Sequence, residues 1–314
     1  MRHKYHGFIG LGILVISEAL MLAGVHPFTT WFYSLAWWSY ILIVDQAVYH
    51  VKGSSLWVNR RGEFLFLIPC SAGFWMIFEG INVYLNNWSY INIPDETWIR
   101  WIGYFIAYGT VLPAIFETTE LLEALGLYRN IKIKPISKTR AWYVPFTFTG
   151  MVFLFAPIFF PRYTFPLVWL CFIFLLEPLL HARGGPSLMR QWEKGDPRTF
   201  FLLLTAGLIC GVLWEFWNFW TSTKWIYTVP FFSRLKIFEM PVLGFLGFPP
   251  FALECYVAYN AMAMLRGKGG WPRHEYGRAE KTSSAFMFLS LVLFIFIFVL
   301  VSRSIDFYTA RSFI

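Results

Sequence analysis

The chain has 314 residues, of which 57% are apolar and only 14% charged, against about 25% charged in an ordinary soluble domain. This composition, with a mean hydropathy of +0.53, excludes a disordered chain and argues against a soluble one. The net charge of +8 raises the question of nucleic acid, and the placement of the basic residues answers it against that partner.

In chain order, apolar windows predict membrane spans near 8–25, 29–49, 63–85, 104–126, 142–160, 164–181, 200–221, 241–264 and 285–302. Glu18 interrupts the first window, which is therefore read as a retained span rather than a signal peptide. With the N-terminus cytoplasmic, 19 of the 26 lysines and arginines fall on the cytoplasmic side, including Arg2, Lys4, Arg60, Arg61, Lys268, Arg273, Arg278 and Lys281. Short loops keep positive charge on the untranslocated side, so the C-terminus is expected outside. The expected location is thus an integral, multi-pass position, assigned to a bacterial inner membrane. The basicity is topological.

The two halves of the chain repeat. Ile77 to Tyr90, IFEGINVYLNNWSY, aligns with Leu213 to Tyr227, LWEFWNFWTSTKWIY, and both contain E-x-x-N followed by W-x-Y. From each tyrosine the same spacing leads to a proline (Pro113, Pro250) and, four residues on, to Glu117 in PAIFE or Glu254 in PFALE. Upstream, Asp45 to Leu56 resembles Glu177 to Leu188 and pairs Asp45 with Glu177 and His50 with His181. The expected fold is an all-α, polytopic transmembrane helical bundle. Its parts are a first membrane repeat at 8–128, a basic linker at 129–141, a second repeat at 142–266, a basic loop at 267–284 and an extra helix and tail at 285–314. Four spans in each repeat return the second to the orientation of the first, so the repeats are expected to be parallel, with a site at their interface.

A carboxylate at bilayer depth costs about 2.5–3.5 kcal/mol even on insertion scales, so each embedded acid needs a partner or a task. Glu79 and Glu215 are candidate proton donors, since an apolar setting favours a protonated carboxyl, and Asn82 and Asn218 at i+3 share the helix face that would orient it. Glu117 and Glu254 are the matching candidate bases. Their prolines, one turn earlier, are expected to free backbone carbonyls. Trp88, Tyr90, Trp214, Trp217, Trp225 and Tyr227 are candidate substrate-binding residues, whose ring faces suit a carbocation or an apolar ligand. Asp45 and Glu177, near span ends, are either functional acids or solvated helix ends. The other histidines, His6 among them, are placed in tails or loops.

Four separated cysteines and the absence of a phosphate loop, a G-x-S-x-G elbow, an H-E-x-x-H helix or a D-D-x-x-D box leave no metal and no cofactor to expect.

Tandem helical units with an embedded acid, a W-x-Y and then a proline closely followed by glutamate resemble the integral-membrane lycopene cyclase domain family and the related carotenoid hydratases. Glu79, Trp88, Tyr90, Pro113 and Glu117, with Glu215, Trp225, Tyr227, Pro250 and Glu254, carry the resemblance. That family has glutamates two and three residues after its proline, and the spacing here is four. The resemblance implies a redox-neutral cyclisation or hydration of a linear polyene by carboxyl acid–base chemistry. The residues themselves leave open a proton- or cation-coupled transporter using the same acids, and a lipid-binding or assembly protein in which the acids only bond helices together.

Overall fold

A computed structural model describes residues 5–229, 235–266, 270–271 and 284–313. Arg2, His3, Lys4, Lys268, Arg273, His274, Arg278 and Lys281, and with them most of the expected basic loop, lie outside the described residues.

The described chain is about 76% helical and nearly all-α in class. In order it forms α1 (His6–Leu22), α2 (Phe28–Lys52), α3 (Leu56–Asn59), α4 (Arg61–Leu85), β1 (Trp88–Ile91), α5 (Thr97–Tyr108) and α6 (Val111–Ala124). There follow α7 (Tyr143–Phe159), α8 (Pro161–Thr164), α9 (Cys171–Ala182), α10 (Leu188–Glu193) and α11 (Arg198–Trp220). The last elements are β2 (Lys224–Tyr227), β3 (Lys236–Ile237), β4 (Met240–Pro241), α12 (Phe248–Leu265) and α13 (Ser284–Ser304).

Among the described residues, seven helical stretches are long and apolar enough to cross a membrane: Arg61–Leu85, Thr97–Ala124, Thr139–Phe159, Pro161–Ala182, Arg198–Trp220, Val242–Leu265 and Met287–Thr309. The first two expected windows hold α1 and α2. With 17 residues, α1 rises about 26 Å, short of the ~30 Å hydrocarbon core. In α2, tyrosine, tryptophan, serine and a buried Asp45 dilute 25 residues of otherwise apolar helix.

The chain divides into two compact units that are discontinuous in sequence: residues 1–126, 209–245 and 296–314 form the first, and 127–208 with 246–295 the second.

In the first unit, α1 lies along α2. Glycines at the crossing permit the approach: a Cβ on Gly10 would meet the Ser39 carbonyl oxygen at 2.7 Å. Helix α2 ends at Gly53, whose φ of +74° only glycine adopts readily, and its N–H caps Tyr49. Helices α2, α4, α5 and α6 pack together. The stretch Thr97–Ala124 is broken at Gly109–Thr110, where α5 stops and α6 begins. Pro113 therefore stands in the first turn of α6, not within a continuous helix. Its missing N–H would have had no helical partner there, so the expected freeing of carbonyls does not occur. Pro250 likewise stands in the first turn of α12.

In the second unit, α9 packs against both α7 and α12. Gly150 of α7 lets Leu175 approach to 2.7 Å of the position a Cβ would occupy. The core includes Cys171, Leu180, Tyr256, Val257 and Tyr259.

Candidate functional site

The first unit gathers eleven of the twelve sequence-predicted site residues; Glu254 belongs to the second. What folds them together is the end of α4. Asn86 takes a left-handed conformation (φ 51°) and its N–H bonds the Asn82 carbonyl at 2.7 Å, turning the chain back on the helix. The Asn82 amide oxygen then accepts the N–H groups of Asn87 (2.8 Å) and Trp88 (3.2 Å), while its NH2 donates to the Trp88 carbonyl at 2.9 Å. Asn218 does the same for Trp225, donating to its carbonyl at 2.9 Å and accepting from its N–H at 3.1 Å. The asparagines thus clamp backbone and do not orient the carboxyl groups as expected. Buried backbone amides left without a ladder partner are the stronger claimants on a nearby amide side chain.

The clamped segments are strands β1 and β2, which pair antiparallel with Trp88 opposite Tyr227 and Tyr90 opposite Trp225. Each W-x-Y motif reaches back to the glutamate on its own preceding helix. Glu79 Oε1 accepts from Tyr90 Oη (2.5 Å), Trp75 Nε1 (2.7 Å) and Trp88 Nε1 (3.2 Å). Tyr108 Oη donates to Tyr90 Oη at 3.0 Å. Burial, reinforced by the Glu79 carboxyl, pushes the Tyr90 phenol well above its ordinary value, so it stays an O–H donor. Glu215 Oε1 accepts from Tyr227 Oη at 2.7 Å. Both glutamates are fully buried, and the second oxygen of each, Oε2, has no hydrogen-bond partner.

Aromatic rings join the two acids. Trp75 lies 5.0 Å from Trp214, the residue before Glu215, and Trp214 lies 6.1 Å from Trp37. Trp37 meets Trp217 edge-on at 4.9 Å, and Tyr33 meets Trp225 at 5.1 Å. Edge-to-face rings at these separations are stabilising, and their faces carry negative potential.

Glu117, on α6, is fully buried beside the Asp45 carboxyl, and it also interacts electrostatically with Glu120 and Arg60. Arg60 is ion-paired with Glu120 and Lys224 with Glu239. In the second unit Glu254 Oε1 accepts the Phe172 N–H at 2.9 Å, and its Oε2 is unpartnered.

Asp45 and Glu177 are buried, which removes the solvated-end reading for both. They do the same local work in the two units. Asp45 accepts from Ser55 Oγ (2.8 Å) and the Trp57 N–H (2.7 Å); Glu177 accepts from Ser187 Oγ (2.5 Å) and the Met189 N–H (2.7 Å). Each serine also caps the short helix it opens, α3 or α10. His6 opens α1 and bonds Asp45 at 2.8 Å, so it is not a tail residue. His50 is exposed, whereas His181 is buried between Tyr143 (2.7 Å) and Glu193 (3.1 Å). Among the described residues no group of three or more His, Cys, Asp or Glu is placed to hold a metal.

Sequence reasoning did not assign Trp75 to Glu79 as a hydrogen-bond donor, although it stands one turn before it. It also missed Tyr108 and Asn260, whose amide brackets Trp271 through two 2.9 Å bonds. No protein-family model, curated protein or solved structure matches the chain.

Proposed function

We propose that the chain is an integral-membrane enzyme acting on an isoprenoid, carotenoid-like or other lipid substrate by redox-neutral carboxyl acid–base chemistry, in the manner of the lycopene cyclase domain and carotenoid hydratase families. The observation that carries this reading is the pair Glu79 and Glu215. Each is buried, each has one oxygen held by tryptophan or tyrosine donors and the other without a partner, and a run of aromatic rings connects them.

In this reading a protonated glutamate of the pair gives its proton to a terminal double bond, forming a C–H bond and leaving a tertiary cation. Tryptophan faces stabilise that cation. The cation is attacked by a neighbouring double bond or by water, and a carboxylate removes the proton released, so that no electrons leave the substrate. Glu117 is the assigned base or cation stabiliser in the first unit, and Glu254, its counterpart in the repeat, keeps that assignment within the second. Nine spans in two parallel four-helix repeats with an extra C-terminal helix, the N-terminus cytoplasmic and the C-terminus outside, complete the proposal. The matched serine–carboxylate loops at Asp45 and Glu177 support the repeat.

A second reading, a proton- or cation-coupled transporter, is favoured by Glu117, which is fully buried beside a second carboxyl group, that of Asp45.

The deciding experiment is chromatography with mass analysis of extracts from a lycopene-accumulating host expressing the wild type or Glu215→Gln. A product of unchanged mass, absent with the variant, supports cyclisation, and a gain of one water supports hydration. Extracts identical in both cases, with good membrane expression, remove lycopene as substrate, and pH-dependent uptake into proteoliposomes then tests the second reading.

A further inference from the structure

Beyond α13 the chain of the first unit passes through a π-helical turn, Ile305–Thr309, and a 3-10 turn, Arg311–Phe313. The functional reading gives this segment no task, yet it is heavily bonded to the first unit. Asp306 accepts from Arg100 Nε and Nη2 (both 2.7 Å), Trp101 Nε1 (2.9 Å) and Tyr104 Oη (3.0 Å). A two-pronged guanidinium–carboxylate pair of this kind fixes orientation as well as distance. Arg100 also donates to the carbonyls of Pro94 (2.7 Å) and Asp95 (3.0 Å), and its guanidinium lies 4.9 Å from the centre of the Phe313 ring. The Ile93 N–H donates to Ser312 Oγ at 3.1 Å, and Tyr90 is bridged in parallel to Ala310.

These contacts converge on the strand that serves Glu79. β1 has β2 along one edge and the 305–313 segment bridged to it at Tyr90. Tyr104, which bonds Asp306, stacks on Tyr108 at 5.7 Å with the rings 5° from parallel, and Tyr108 bonds the Tyr90 hydroxyl. Two routes, one through backbone and one through stacked phenols, therefore run from Asp306 to the Tyr90 hydroxyl, which donates to Glu79.

We propose that residues 305–313 form a clasp that positions Tyr90 against Glu79, with Asp306 and Arg100 as the positioning residues that close it. The proposal rests on the reading of Glu79 as a reacting acid. A segment that merely finished a helix would need one or two bonds to its end, and four donors on one carboxylate together with a strand bridge constrain the neighbour as well.

The test is carbodiimide labelling of the full chain in lipid vesicles, since dicyclohexylcarbodiimide adds to buried carboxylic acids without any substrate. Labelling at Glu79 and Glu215 is read by peptide mass spectrometry. Asp306→Ala is expected to raise the Glu79 rate about tenfold, the equivalent of losing one hydrogen bond to a carboxylate, with Glu215 labelling unchanged because Tyr227 holds that group. The swapped pair Arg100→Asp with Asp306→Arg is expected to return the rate towards wild type. Equal Glu79 labelling in wild type and Asp306→Ala, or an equal rise at both glutamates, overturns the clasp. Should Asp306→Ala fail to fold, Ser312→Ala, which removes the single bond to Ile93, decides the matter in the same way. The readout involves no turnover, so a failed clasp and a failed enzymatic reading are separable.

Discussion

Trp88 stands opposite Tyr227 across the β1–β2 ladder, and Tyr90 stands opposite Trp225, so the two W-x-Y motifs of the sequence halves meet head to tail in one small sheet. Each motif sends its tyrosine hydroxyl to the glutamate of its own half. The pairing brings two glutamate sites of one kind together without requiring the glutamates to touch.

If the tyrosines hold their carboxyl groups for proton transfer, Tyr90→Phe and Tyr227→Phe each lower product formation while leaving the fold intact. A hydrogen bond to a charged group contributes about 1.5–3 kcal/mol, which corresponds to roughly a 10- to 100-fold loss of rate. Product yield per unit of membrane protein in the extract assay measures it. Unaltered yield in both variants removes the tyrosines from the site.

Asn82→Ala strips the partner from two buried backbone N–H groups, those of Asn87 and Trp88, whereas Asn218→Ala strips one, that of Trp225. Each orphaned donor costs about 1–3 kcal/mol, so Asn82→Ala is expected to destabilise by roughly 2–6 kcal/mol and Asn218→Ala by about half as much. Thermal unfolding in detergent, followed by tryptophan fluorescence, gives the order. The reverse order would show that the clamp bonds do not set the cost.

Much of this arrangement is legible in the sequence, for identifiable reasons. Long apolar runs leave helix as the structure that satisfies its own backbone in lipid, and the E-x-x-N…W-x-Y spacing marks residues that do come together around Glu79 and Glu215. The role of the asparagines was hidden because i+3 spacing places them on the glutamate's helix face, and only the left-handed Asn86 shows that backbone amides arrive there first. Proline in PAIFE reads equally as a mid-helix break or a helix start, and the stop of α5 at Gly109 decides it. Asp306 lies 206 residues from Arg100, so no local period could have linked them. Its one sequence signal is that it is the sole acid after Glu280.

Ser55→Ala and Ser187→Ala are expected to behave as equivalents. Each loses the hydroxyl that bonds a buried carboxyl group, Asp45 or Glu177, and the same atom that caps α3 or α10. Removing such a cap costs about 0.5–2 kcal/mol, and the lost bond to the acid brings the expected total to roughly 2–5 kcal/mol in each case. Matching shifts in unfolding midpoint support one device used twice. A large shift for one and none for the other would mean that the two loops only look alike.

Acid stability depends on Glu193, which lies outside the membrane-spanning stretches in α10. The Thr139 hydroxyl, and after it the His181 ring, hold its carboxyl below the ordinary carboxylate value. A carboxyl that is more acidic in the folded than in the unfolded chain contributes stability above the unfolded value of about 4.3 and loses it as the pH falls through the folded value. The wild type is therefore expected to lose stability between about pH 5 and pH 3 more steeply than Glu193→Gln, which has no proton to take up there. Thr139→Val, lacking the first of the two donors, should fall between them. Midpoints measured across this range at constant ionic strength make the comparison. Parallel acid limbs in all three proteins would show that the Thr139–Glu193–His181 contact carries no pH-dependent stability, leaving the burial of His181 against Tyr143 to hold this end of the second unit.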